Sequence, residues 1–126
     1  MKRTSFHILR IGVAITFLWI GILIFKTPEA WGGYLQPWVA ELLPVPLEQV
    51  MMGTAVLDMA IGTLLLINYW VFLAALVGAI HLVVVLTASG ITDITVRDIA
   101  ILAAAVALTV DSLPKAFSDK IIHWQK

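Results

Sequence analysis

LEQVMMGTAVLDMAIGTLLLINYWVFLAALVGAIHLVVVLTAS, which runs from Leu47 to Ser89, decides the fold. It holds two apolar stretches, residues 47–67 and 70–89, interrupted only by Asn68 and Tyr69. A helix that crosses the hydrocarbon core of a bilayer needs about 20 mostly apolar residues. In lipid the backbone polar groups must be bonded within the segment, which selects helices over open strands. A two-residue break leaves room only for a reversal, so the stretch predicts an antiparallel pair of transmembrane helices.

Two further segments extend the pattern outward: residues 7–25 before the pair and 96–113 after it, the latter separated by the short link 90–95. The expected fold is therefore all-α: an integral membrane four-helix bundle in one domain, residues 1–126. The whole chain is 61% hydrophobic and 13% charged, with a mean hydropathy of +1.01. Soluble domains are typically about 45–50% apolar and about 25% charged. Formal charge is zero, so nothing favours a nucleic-acid partner; the partner expected from composition is the lipid bilayer. Cysteine is absent, which excludes disulfides and thiolate metal sites within the chain.

Lys2 and Arg3 ahead of an apolar run resemble the start of a signal peptide, but Lys26-Thr-Pro-Glu-Ala-Trp31 offers no small-residue cleavage site. The segment is read as a retained first span. Lys2, Arg3 and Arg10 flank its start, and Lys115, Lys120 and Lys126 follow the fourth span, against Lys26 and Arg97 on the other side. The positive-inside rule then places both ends in the cytoplasm. The tail, residues 114–126, carries Phe117, Ile121, Ile122 and Trp124 in an amphipathic pattern suited to the inner leaflet.

The link 26–46 contains Pro28, Gly32, Gly33, Pro37, Pro44 and Pro46, so it is not one helix. Trp31, Tyr34 and Trp38 suit a membrane–water boundary, and residues 38–43 fit a short surface helix. The link is either a re-entrant or interfacial lid or a plain loop anchored by its aromatics.

Charged side chains in lipid are costly and mark interior or functional positions. Asp58 and His81 fall midway along the second and third spans, which run in opposite directions, so they lie at similar depth. Thr54, Asp58 and Gly62 share one stripe, and Ala74, Gly78 and His81 another, with small residues that permit close helix approach. The pair is either a proton relay or polar cradle for a quinone head group, or a structural hydrogen bond that sets helix register. Lys26, Glu48, Arg97 and Asp98 gather at the outer ends of the spans, under Trp31 and Trp38. They form either a pocket for an anionic ligand or partner, or an ion-pair cluster in which Lys26 or Arg97 meets Glu48. At the inner face Arg10 either pairs with Asp111 or snorkels to the interface. Gly12, Thr16, Trp19, Leu23 and Lys26 mark a face of the first span on which Trp19 is assigned to packing. The small-residue pairs Ala100/Ala104 and Ala103/Ala107 in the fourth are likewise assigned to packing. No metal site is expected, His7, His81 and His123 are not spaced to hold a haem, and no nucleotide-binding or nucleophile motif occurs.

Three blocks resemble the DoxX family of small bacterial membrane proteins. They are Arg10-Ile-Gly12 through Phe17-Leu-Trp19-Ile-Gly21 to Lys26; Gly53-Thr-Ala-Val-Leu-Asp58-Met-Ala-Ile-Gly62-Thr-Leu-Leu-Leu; and Arg97-Asp98 with the apolar run after it. The chain departs from that family in carrying Asp58 where a glutamate is expected, and in lacking the cysteines of redox-associated relatives. The resemblance implies four helices in a bacterial inner membrane. Named members belong to quinone-reducing sulfur-oxidising complexes or associate with oxidative-stress partners. The function expected here is an accessory or quinone-interacting subunit of a membrane redox complex, with oxidoreductase subunits or further copies of the chain as partners. A small proton-coupled transporter using Asp58 and a non-catalytic membrane scaffold are the rival expectations.

Overall fold

The computed structural model describes residues 1–114, which are entirely helix, turn and loop. The elements are α1 (Arg3–Lys26), α2 (Pro28–Gly32), α3 (Pro37–Leu42), α4 (Leu47–Leu66), α5 (Val71–Ser89) and α6 (Val96–Asp111). Prolines punctuate the link after α1. Pro28 and Pro37 open α2 and α3, where a missing N–H costs nothing, and Pro46 immediately precedes α4.

Three helices, Arg3–Lys26, Leu47–Leu66 and Val71–Ser89, are long and apolar enough to cross a membrane. Only 33%, 33% and 28% of their most apolar windows are buried within the protein. Ile8, Ile15, Val56, Ile80 and Val84 point outward from them. Soluble monomers rarely expose contiguous apolar surface on this scale, whereas lipid requires it; this is the signature of a membrane protein. The fourth expected span, 96–113, is helical over Val96–Asp111 only, 16 residues or about 24 Å of rise. Ser112 turns its hydroxyl back onto the Leu108 carbonyl at 2.5 Å. Leu113 precedes Pro114, whose ring disfavours a helical conformation in the residue before it. The amphipathic tail expected around Phe117, Ile121, Ile122 and Trp124, and the basic residues Lys115, Lys120 and Lys126, lie outside the described residues.

The α4–α5 reversal occupies Ile67 to Trp70, with Asn68 at φ 59° and Trp70 at φ 50°. Tyr69 and Trp70 stack there at 5.0 Å. α1 lies along α4 as the most extensive helix contact, α5 pairs with α6, and α4 also meets α5. A Cβ on Gly62 would stand 2.8 Å from the Ala14 carbonyl oxygen and 2.7 Å from the Leu18 nitrogen. Any side chain at Gly62 would therefore push the two backbones apart. The main core cluster is Val13, Ala14, Phe17, Ile61, Leu65, Ala74, Ala75, Leu82 and Leu108. A second, smaller cluster of Ile24, Met51 and Ala55 gathers Trp31 and Leu35 from the link against α1 and α4.

Two packing expectations change. The buried face of α1 is Arg10, Val13, Ala14, Phe17, Gly21 and Ile24, whereas Trp19 is 66% exposed and a Cβ added at Gly12 would enter open space. Trp19 thus belongs to the lipid-facing side. On α6 the buried positions are Ala105 and Leu108, with Ile101, Leu102 and Ala104 packed against the core. Ala100 and Ala103 are exposed, so neither small-residue pair forms a complete packing seam.

Candidate functional site

Asp58 sits on the buried face of α4, 4% exposed, and His81 faces it from α5. Nε2 of His81 lies 3.1 Å from Oδ1 of Asp58. The approach is close but poorly aligned, and Oδ1 accepts no hydrogen bond from the described residues. A buried polar atom without a partner costs on the order of 1–3 kcal/mol. A small residue eases the approach of these elements: a Cβ at Gly78, one turn before His81, would meet Ile61 of α4 at 3.4 Å and Phe17 of α1 at 3.1 Å.

The pair borders a cavity of about 540 Å³. Phe17, Ile20 and Ile24 wall it from α1, Val50 and Met51 from α4, Leu82 and Val85 from α5, and Ile101 from α6. The link contributes Trp31, Tyr34, Leu35, Val39 and Leu43, so it folds back across one end of the space as a cover. Its attachment is specific. The Gln36 backbone N–H donates to the Ala88 carbonyl at 3.0 Å, and the Trp38 indole N–H donates to Gln36 Oε1 at 2.5 Å. Gly90, at φ 71°, accommodates the Gln36 amide where a Cβ would meet its nitrogen at 2.5 Å. The Thr95 hydroxyl closes the α5–α6 turn by donating to the Gly90 carbonyl at 2.6 Å.

Two groups that are separate in the sequence reading come together here. Arg97, Asp98 and Trp31 line the same cavity as Asp58 and His81, while Lys26, Glu48 and Trp38 do not border it. The ion pair expected between Glu48 and Lys26 or Arg97 is not formed. The close contacts between basic and acidic groups among the described residues are His81–Asp58 and Met1–Asp111. Glu48 lies in the first turn of α4 and Lys26 in the last turn of α1, where each charge is already matched to its own helix dipole.

Arg10 corrects a further expectation. It is 7% exposed, so it neither snorkels nor pairs with Asp111. Its Nη1 donates to the carbonyls of Leu65 and, at 3.0 Å, of Leu66. Its Nε donates to His7 Nδ1 at 3.2 Å. The final carbonyls of a helix have no partner within it and carry the negative end of its dipole; Arg10 supplies both the donors and the charge. Asp111 instead receives the Met1 amino group at 3.0 Å.

Gln36, Ser89 and Thr95, which attach the cover or line the cavity, carry no assignment from the sequence, and Thr16 is marked there only as part of a first-span face. Gln36, a lone amide between Leu35 and Pro37, carries no local signal. The antiparallel order would have placed Arg10, near the start of the first span, beside the end of the second. Among the described residues no cluster of acidic or histidine side chains suits a metal ion. Comparison with protein-family models, with curated proteins and with solved structures finds no match in any of the three.

Proposed function

We propose that the chain is a four-span bacterial inner-membrane protein of DoxX type that holds a quinone head group between α4 and α5. It would do so as an accessory subunit of a membrane redox complex. The observation that carries this reading is the cavity itself: an apolar space of about 540 Å³ that ends on a buried carboxylate–imidazole pair. Ligand sites are commonly apolar pockets of roughly 300–1,000 Å³ with a few placed polar groups. An isoprenoid quinone has the matching form, a small polar ring on an apolar tail. The resemblance of the Arg10–Lys26, Gly53–Leu66 and Arg97-Asp98 blocks to DoxX proteins points the same way. In this reading α6 is the fourth, short span, both ends face the cytoplasm, and Trp31 and Tyr34 cover the site from the opposite side. A pure scaffold has no need of a buried carboxylate beside an apolar space.

The test is extraction of the protein from its native membrane with lipid retained, followed by quinone analysis and identification of copurifying proteins. Near-stoichiometric quinone in the wild type, depleted in Asp58→Asn and His81→Ala, is expected. Absence of both quinone and any copurifying oxidoreductase overturns the proposal.

A further inference from the structure

The polar groups around the cavity are not evenly divided between donors and acceptors. At the deep end Asp58 lines the space; its Oδ1 is sealed from it and lies 3.1 Å from His81 Nε2, so the acceptor it can offer a ligand is the other carboxylate oxygen, which takes no hydrogen bond from the described residues. Thr16 and Thr54 line the same space, but their protons are committed. Thr16 donates to the Gly12 carbonyl at 2.9 Å and Thr54 to the Val50 carbonyl at 3.1 Å, which leaves each hydroxyl only lone pairs to offer. His81 is the nearby proton carrier, and its Nε2 is turned toward Asp58 at 3.1 Å. The side chains with protons to give, Trp31, Tyr34, Ser89 and Arg97, belong to the covered end formed by the link and the α5–α6 turn, where Asp98 in the first turn of α6 adds a second carboxylate.

A quinone carbonyl only accepts hydrogen bonds; a hydroquinone or phenol also donates them. A site with an unmet acceptor discriminates strongly for a ligand hydroxyl, because the analogue without it leaves the buried group unpaired. We infer that the deep end of the cavity takes a hydrogen-bond-donating aromatic head group against Asp58, so that hydroquinones and tailed phenols bind in preference to oxidised quinones. This deepens the proposed quinone site and rests on it for the natural ligand, though the donor preference is testable with molecules that have no redox chemistry. It also gives the site a direction, since a protein that holds the reduced form more tightly favours reduction of the bound ring.

The experiment is calorimetric titration of the full chain in lipid nanodiscs, with empty nanodiscs subtracted. The probes are 4-nonylphenol, its methyl ether, decyl-ubiquinone, and decyl-ubiquinol kept anaerobic. In the wild type the phenol is expected to bind at least about tenfold more tightly than the ether, and the quinol than the quinone, the scale of one hydrogen bond to a charged group. Asp58→Leu, which removes the acceptor, should abolish both differences. Asp58→Asn, whose amide also donates, should shift preference toward the quinone. Equal binding of phenol and ether in the wild type overturns the inference without use of any variant. Discrimination that survives Asp58→Leu also overturns it, because the donor is then recognised elsewhere. Quinone and quinol binding alike would leave the quinone site standing and the donor preference refuted. Phenol discrimination with no binding of either ubiquinone form would do the reverse. If no probe binds, both fail.

Discussion

α4 meets its two main neighbours in opposite ways. Against α1 it is backbone to backbone, with Gly62 set on Ala14 and Leu18, and Gly21 of α1 set on Ala55 and Met59. Against α5 its central contact is a carboxylate facing an imidazole, and the helices leave the internal space beside that pair. Close packing in a membrane protein gains dispersion energy from every atom brought together, whereas a buried polar pair returns little after desolvation. One side of α4 is thus built for cohesion, and the other gives up packing for room and polarity.

Substitution can break this contrast. The largest effect is expected at Gly62→Val: the new side chain meets fixed backbone, and unfolding in mixed micelles should show a loss of about 3 kcal/mol or failure to fold. A loss below about 1 kcal/mol would mean the seam yields more easily than its distances imply. Arg10→Ala, at the end of the same seam, should cost about 2–3 kcal/mol by stripping charged donors from the Leu65 and Leu66 carbonyls. Arg10→Lys should recover only part of that, since an ammonium cannot span several acceptors in a fixed fork. Across the other side, the double variant Asp58→Leu/His81→Leu should leave stability within about 1 kcal/mol of wild type, or raise it, while depleting bound quinone. If it unfolds the protein instead, the pair belongs with the seam. The smallest effect is expected at Ala100→Leu, on the exposed face of α6, within about 0.5 kcal/mol in the same assay.

The contact between Asp58 and His81 was legible because a two-residue reversal fixes the depth of everything on the helices it joins. Counting outward from Asn68-Tyr69 brings the two residues level. The three long apolar helices were legible from hydropathy alone. The cavity was legible only as one of two alternatives, a lid against a plain loop, because it depends on a proline-broken link folding back over α1 and α4 and being tied to α5 through Gln36. A main-chain hydrogen bond of that kind leaves no trace in the residue pattern. The placement of Arg97 and Asp98 with the deep pair was hidden for the same reason. On α6 and α1 the sequence misled about facing: alanine and tryptophan serve a lipid-exposed surface as readily as an interior, so Ala100, Ala103 and Trp19 carried no directional information.

Arg10 has one more consequence. Both of its α4 acceptors are peptide carbonyls, present whatever residues occupy positions 65 and 66. No exchange of side chains there can compensate for losing the guanidinium, and none is needed to keep it. Correlated-substitution methods, which find contacts through paired changes, would therefore register no partner for Arg10, although it joins the start of the first long helix to the end of the next.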